Sequence, residues 1–229
     1  MGLLSNNINT IPNVQNYKEG EEEPNSVPFV VCACEGDEEC DYLSIFKRSH
    51  RLEIVNDYYN NDQEKKGHSH PQKRIDALIE FLGEESLDLD IKGFSNKIDK
   101  AFLVVDRDAQ SFKENQYDCI KEICAKKNVE FIISNPSFQL WLLLHFFSDI
   151  ESLNLEKETR TKKQIKKIED EIKKYVKNYK HGTINVGSFS KHVNTALDNA
   201  KQFDALTVDD LKDKIGTRFS VLVKYLLGN

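Results

Sequence analysis

Two apolar runs in this sequence end in acids. Val30–Cys34 leads into Glu35, and Ala101–Val105 leads into Asp106-Arg107-Asp108. An Asp-x-Asp pair at a strand end points both carboxylates in roughly one direction. In open parallel sheets, sites form beyond the carboxyl ends of the strands, near the switch point. Mg²⁺ takes oxygen ligands, usually one or two carboxylates plus water. Three carboxylates gathered away from water repel one another unless a cation offsets them. Glu35, Asp106 and Asp108 are therefore the candidate catalytic and metal-ligating residues, with Mg²⁺ as the expected cofactor and Mn²⁺ as its substitute. The competing reading is structural: Glu35 as a turn residue beside Gly36, and Asp108 or Ser111 as a helix cap. Joint placement at two buried strand ends favours the site.

Other residues carry weaker signals. Asn135 ends a strand and is a candidate for orienting a phosphate or a metal-bound water, or for shaping the turn before Pro136. Glu39, close to Glu35 in sequence, is a candidate for supporting the ligands or touching substrate. Trp141 and His145 lie four apart on an apolar helix and read as core. His68 and His70 sit in a polar loop and read as solvated rather than metal-bound. Residues 156–180 hold nine Lys and one Arg against five acids. Lys162, Lys163, Lys166 and Lys167 are the candidate nucleic-acid contacts there, a plain solvated face being the alternative.

The elements that position these groups follow from periodicity. Residues 28–34 form a strand buried on both faces. A helix over 38–49 turns Tyr42, Leu43 and Phe46 inward, and 52–58 is a less buried strand. Pro71 opens a helix carrying Ile75, Leu78, Ile79 and Leu82, with Gly83 near its stop. A strand at 101–105, a helix over about 113–127, a strand at 129–133 and an apolar helix at 138–147 follow. Such alternation predicts an α/β fold with a parallel sheet and helices on both faces. Residues 1–27 read as a poorly ordered tail, 28–150 as the sheet domain, and 151–229 as a helical extension packed on it. Two apolar stripes mark that extension: Ile165, Ile168, Ile172, Tyr175 and Tyr179, then Val193, Ala196, Leu197, Ala200 and Phe203. A last apolar helix covers about 218–227.

The bulk numbers set bounds. The chain has 229 residues, is 39% hydrophobic and carries a formal net charge of −6. That charge argues against coating nucleic acid by bulk electrostatics, though not against a local basic patch. No apolar run reaches the roughly 18–20 residues that span a bilayer. No signal peptide opens the sequence, and the five Cys lack zinc-site spacing, so a reduced, cytoplasmic protein without membrane attachment is expected. Cys32 and Cys34 lie two apart on a strand and read as small buried groups.

Three blocks together resemble the RloB-like family: Cys34-Glu35-Gly36, Val105-Asp106-Arg107-Asp108, and the long block from Ser134-Asn135-Pro136-Ser137-Phe138 through Leu140-Trp141-Leu142-Leu143-Leu144-His145-Phe146. The resemblance is good over residues 28–147 and weaker through Ala196–Lys201 and the final helix. It implies a Toprim-like, Rossmannoid catalytic domain of the kind shared by topoisomerases, primases and certain nucleases. In that fold the glutamate after the first strand is the general acid or base and the Asp-x-Asp pair binds Mg²⁺, roles that map onto Glu35, Asp106 and Asp108. It also implies a neighbouring ATPase and a place in antiphage defence. The chain departs from the family pattern at Cys40, Gln139 and Ala109, where acids are usual.

The resulting expectation is a metal-dependent endonuclease, a hydrolase of phosphodiester bonds in DNA or RNA, working with an ATPase partner and open to homo-oligomer formation. A rival reading is a non-catalytic adaptor that keeps the fold and docks the ATPase. A third, a small-molecule phosphate binder, lacks a Gly-rich phosphate loop.

Overall fold

The structure is a computed structural model that describes residues 28–47, 51–55, 71–84, 100–107, 112–158 and 161–228. The expected tail at 1–27, His68, His70, Ala109 and Asp108 lie outside the described residues. So do residues 56–58 of the second expected strand.

A five-stranded sheet organises the chain in the order β2-β1-β3-β4-β5. Its strands are β1 (Phe29–Cys34), β2 (Arg51–Ile54), β3 (Lys100–Asp106), β4 (Val129–Asn135) and β5 (Gly216–Thr217). The first four run parallel, and β5 adds antiparallel at the β4 edge. The parallel α/β expectation holds. The stretch read as all helix also supplies a strand, too short at two residues to leave a periodic signature. Gly216 lets it approach: a Cβ there would lie 2.6 Å from Leu206 Cδ1 and 2.8 Å from Leu211 Cδ2.

Period-two alternation divides the core. Val30, Cys32, Cys34, Phe102, Val104 and Ile132 face one side, where α1 (Asp37–Leu43), α4 (Gln139–Leu144), α5 (Thr161–Tyr175), α7 (Val193–Ala200) and α8 (Phe219–Leu226) join them. Val31, Ala33, Leu103, Val105 and Ile133 face the other, against α2 (Pro71–Glu84) and α3 (Glu114–Lys127). The short α6 (Val186–Ser190) brings Phe189 to the first layer. The C-terminal helices thus build one of the two covering layers. Their apolar stripes are largely consumed: Ile168, Ile172, Tyr179, Val193, Ala196, Ala200 and Phe203 are all buried. Of these, each Ile, Val or Phe contributes roughly 1.5–3 kcal/mol when fully withdrawn from water, and each Ala less. Among the described residues, no helix is long and apolar enough to cross a membrane.

Helix α1 stops at Leu43 and tightens into a 3₁₀ turn over Ser44–Phe46, so the expected helix through 49 is shorter. Tyr42, Leu43 and Phe46 are buried as their spacing requires.

Candidate functional site

The carboxyl ends of β1 and β3, the two central neighbours, bring Glu35 and Asp106 together. Cys34 pairs with Val104 in register, and the Glu35 N–H donates to Val104 O at 3.0 Å. The Asp106 N–H donates to Glu35 Oε2 at 2.8 Å. The Phe138 N–H, just before α4, donates to Asp106 Oδ1 at 2.7 Å. Two sequence-distant acids are thereby fixed by backbone donors from two different elements.

Two further carboxylates enter from the first turn of α1. Glu38 and Glu39 are only 5% and 4% exposed. Glu39 reaches back to the Gly36 N–H and to its own N–H, the return half of a capping box. A Cβ at position 36 would sit 2.9 Å from Glu39 Oε2, so glycine makes room for this fold-back. Glu38 accepts from Gln139 Nε2, from the Tyr179 hydroxyl at 3.2 Å and from the Gly182 N–H. Gln139 Nε2 also lies 3.3 Å from His181 Nδ1, which stands 2.9 Å from Glu169 Oε1.

These groups line a pocket of about 230 Å³ with five acids, Glu35, Asp37, Glu38, Glu39 and Asp106, together with Gly36, Gln139, His181 and Gly182. Among the described residues, neither Lys nor Arg is one of its walls. The electrostatic consequence is proton retention. Burial pushes Asp106 well above the usual carboxylate range, and the charges of Glu39, Glu35 and Glu38 add to it against the Phe138 N–H. Burial pushes Glu39 up to about 8, with Glu35 and Glu38 contributing. Glu38 is raised by burial and drawn back by His181, Gln139 and Tyr179.

A hard divalent cation fits this donor set, because carboxylate oxygens in excess of local positive charge are what Mg²⁺ and Mn²⁺ bind. Among the described residues, no three His, Cys, Asp or Glu side chains stand close enough to enclose a metal by themselves. Glu35 and Asp106 would supply ligands with water completing the shell; Asp108 lies outside the described residues.

The other expected residues fall differently. Asn135 is buried, precedes Pro136 through a cis peptide bond, and its Nδ2 donates to Leu211 O at 3.0 Å. It is not a wall of the pocket; it ties the C-terminal segment to β4. Lys162, Lys163, Lys166 and Lys167 lie on α5, where Lys167 and Lys163 reach Glu158 at 2.8 and 3.7 Å. Trp141 and His145 are core, as their spacing implied. Cys32 and Cys34 are buried free thiols. Cys40, at a position where the family usually has an acid, donates to Gly36 O and stays out of the pocket wall.

Several site residues had no reading in advance. Glu38 was hidden in an acidic run that suits any helix start. The available signal was its spacing, four before Tyr42, as Glu39 is four before Leu43, which places both acids on the buried face of α1. Tyr179, 141 residues from Glu38, reads in sequence only as part of an apolar stripe, and His181 and Gly182 left no signal. Arg74 on α2 donates to Glu35 O at 3.3 Å and sets a guanidinium beside the acids. Arg107 turns away from them, buried, donating to Lys212 O and Phe112 O. A larger cavity of about 420 Å³, walled by Ile150, Leu155, Phe203 and Ile215 among others, contains none of the site acids.

With this geometry in hand, the comparison with known families is decisive at one level. The family model for RloB-like proteins matches residues 30–226. The chain belongs to the RloB-like family. No curated protein and no solved structure matches it. The match runs from the second residue of β1 to the end of α8, so it takes in the C-terminal helices as well as the sheet.

Proposed function

We propose that this RloB-like chain is a Mg²⁺-dependent nuclease of the Toprim type that cleaves phosphodiester bonds in DNA or RNA, as an antiphage effector working with an ATPase. One observation carries the chemistry: half-buried Glu35 and Asp106 and buried Glu38 and Glu39 gather where two central parallel strands end, with no Lys or Arg among the described residues of the pocket wall. The defence role and the ATPase rest on the family resemblance.

Bound Mg²⁺ would supply Lewis-acid stabilisation of the charge that builds on the phosphate and the leaving oxygen. Asp106, oriented by the Phe138 N–H, would hold the cation with Asp108 and Glu35. Glu35, oriented by the Asp106 N–H, carries the proton between nucleophile and leaving group. Glu38 and Glu39 surround that pair and keep the pocket acidic.

The test is Asp106→Asn, which preserves side-chain shape and the Oδ1 acceptor. Mn²⁺ at about a hundred times its dissociation constant should stabilise the wild-type chain by about 2.7 kcal/mol. For a chain of this size that raises the melting temperature by roughly 5–10 °C. The variant should lose both this rise and metal-dependent cutting of labelled oligonucleotides. Cutting at the wild-type rate by Asp106→Asn would show that the site is misassigned.

A second reading has its own support. Gln139 donates to Glu38 where the family usually carries an acid, so a neutral amide occupies part of the pocket wall. On that reading the chain is an adaptor that docks the ATPase, and no metal or partner restores cleavage.

A further inference from the structure

Residues 173–197 contain five Lys and two His but no Asp or Glu, in a chain of net charge −6. The stretch begins in the last turn of α5 and folds into a tight turn in which Lys180 bridges Thr183 and Gly182 takes φ +81°. Part of this turn belongs to the pocket: the Tyr179 hydroxyl donates to Glu38, and His181 and Gly182 are pocket walls. Its Lys177 and Lys180, and Lys191 further on, are exposed. The acids just upstream are already engaged, Glu169 by His181, Asp170 by Lys173 and Glu171 by Lys174. Among the described residues no ion pair involves Lys177, Lys180 or Lys191, so their charge is available to a ligand.

Four residues before Tyr179, at the end of α5, Tyr175 stacks parallel to and offset from Phe146, with ring centroids 5.5 Å apart and planes 7° apart. Phe146 is itself braced by His192 at 5.1 Å and Phe189 at 5.6 Å. Tyr175 nevertheless remains 46% exposed. Parallel stacking covers one ring face, so the exposure belongs to the other face and the edge. A braced aromatic ring in the same stretch of chain as unpaired, exposed lysines matches what a single-stranded nucleic acid needs, a platform for one base and cations for its phosphates. A duplex keeps its base faces stacked inside and offers none to Tyr175. A protein partner would want a broader apolar patch, and the only other large exposed hydrophobic among the described residues is Leu227.

We infer that the Tyr175–Phe146 stack with Lys177, Lys180 and Lys191 is a single-strand-binding surface that leads a nucleic-acid chain to the carboxylate pocket. It rests on the nuclease reading only for what happens to the strand afterwards.

Fluorescence anisotropy on the full chain in EDTA, where nothing is cut, tests it. The probes are labelled oligothymidine and oligouridine of about 15 nucleotides, their duplexes, and an abasic strand of the same length. Single strands should bind more tightly than duplexes. Tyr175→Ala should weaken single-strand binding about tenfold, the loss of one base stack, while Tyr175→Phe binds as wild type. The abasic strand should not respond to Tyr175→Ala. Replacing Lys177, Lys180 and Lys191 by Gln should reduce the salt slope by about 2. The two sugar chemistries decide between DNA and RNA. Tighter duplex binding, no oligonucleotide binding, or wild-type single-strand affinity in a normally folded Tyr175→Ala would overturn the inference. Adding Mn²⁺ separates it from the nuclease reading. A strand held through Tyr175 but never cut, with or without the ATPase, overturns that reading alone; a strand cut with unchanged Tyr175→Ala affinity overturns this surface alone.

Discussion

Glu39 keeps a proton at neutral pH that a free glutamate gives up, because burial and the neighbouring Glu35 and Glu38 disfavour its charge. An acid whose pKa rises on folding costs stability as pH climbs from its unfolded value, near 4.3, to its folded one. Glu39→Gln keeps an acceptor oxygen for the Gly36 N–H and removes the charge. It should stabilise the metal-free chain by about 1 kcal/mol, roughly 2–4 °C in Tm, with a larger gain near pH 8 than near pH 5. Thermal melts of both proteins at the two pH values check this, and a variant that melts lower at both would mean that the carboxylate is favourable as it stands. The residue scale is also where the sequence was most and least legible. Glu35 and Asp106 stood out because each follows an uninterrupted apolar strand, a pattern that survives without knowledge of tertiary contacts. Glu38 did not, because three acids at a helix start already have a sufficient cause in the helix dipole. Gln139 read as a lost acid until the Glu38 carboxylate was found against its amide.

At the scale of elements, α1 and α4 are joined by a polar contact buried among rings. The Tyr42 hydroxyl lies 3.0 Å from His145 Nε2, and His145 Nδ1 lies 3.1 Å from Trp141 O. The carbonyl can only accept, so Nδ1 carries the hydrogen and Nε2 accepts from Tyr42. Both ring nitrogens are thus satisfied by a neutral imidazole, and burial lowers the His145 pKa to about 4. A histidine depressed on folding contributes stability that is intact above its unfolded pKa, near 6.5, and is lost as pH falls toward the folded value. His145→Gln should therefore lose less stability than wild type between about pH 6.5 and pH 4. Denaturant melts across that window, compared as the difference between the two proteins, isolate this contribution from the raised acids, whose dependence runs the opposite way. Parallel curves would assign the acid sensitivity elsewhere. The apolar spacing of α4 announced a buried helix with Trp141 and His145 inside. It held no information on Tyr42 as the partner, 103 residues upstream, since periodicity reports the face a helix buries and not the element it meets. The same limit hid β5, which is placed by Gly216 and the end of β4 rather than by any pattern of its own.

For the whole molecule, charge distribution decides how a substrate would arrive. The net charge of −6 and the acidic pocket give poor long-range attraction to a polyanion, and the basic stretch near α5 acts only within about a Debye length, ~8–10 Å at ordinary ionic strength. The proposed ATPase would then deliver substrate, and its docking mode is constrained. The apolar stripes of residues 151–229 are mostly turned into the chain's own core. Tyr175 and Leu227 are the exposed large hydrophobics among the described residues, less than an apolar obligate interface would present. A complex built on this surface should be held mainly by polar and charged contacts. Co-expressed with the proposed ATPase partner, the chain should co-elute at about 50 mM salt and separate by about 0.5 M, where screening is several-fold stronger. Nucleic-acid cleavage should rise at least about tenfold in the complex, equivalent to 1.4 kcal/mol off the barrier. Size-exclusion chromatography at the two salt concentrations, followed by cleavage assays on each pool, distinguishes the cases. Full activity from the lone chain would remove the need for a delivering partner, and a complex that survives high salt would point to an apolar interface outside the described surface.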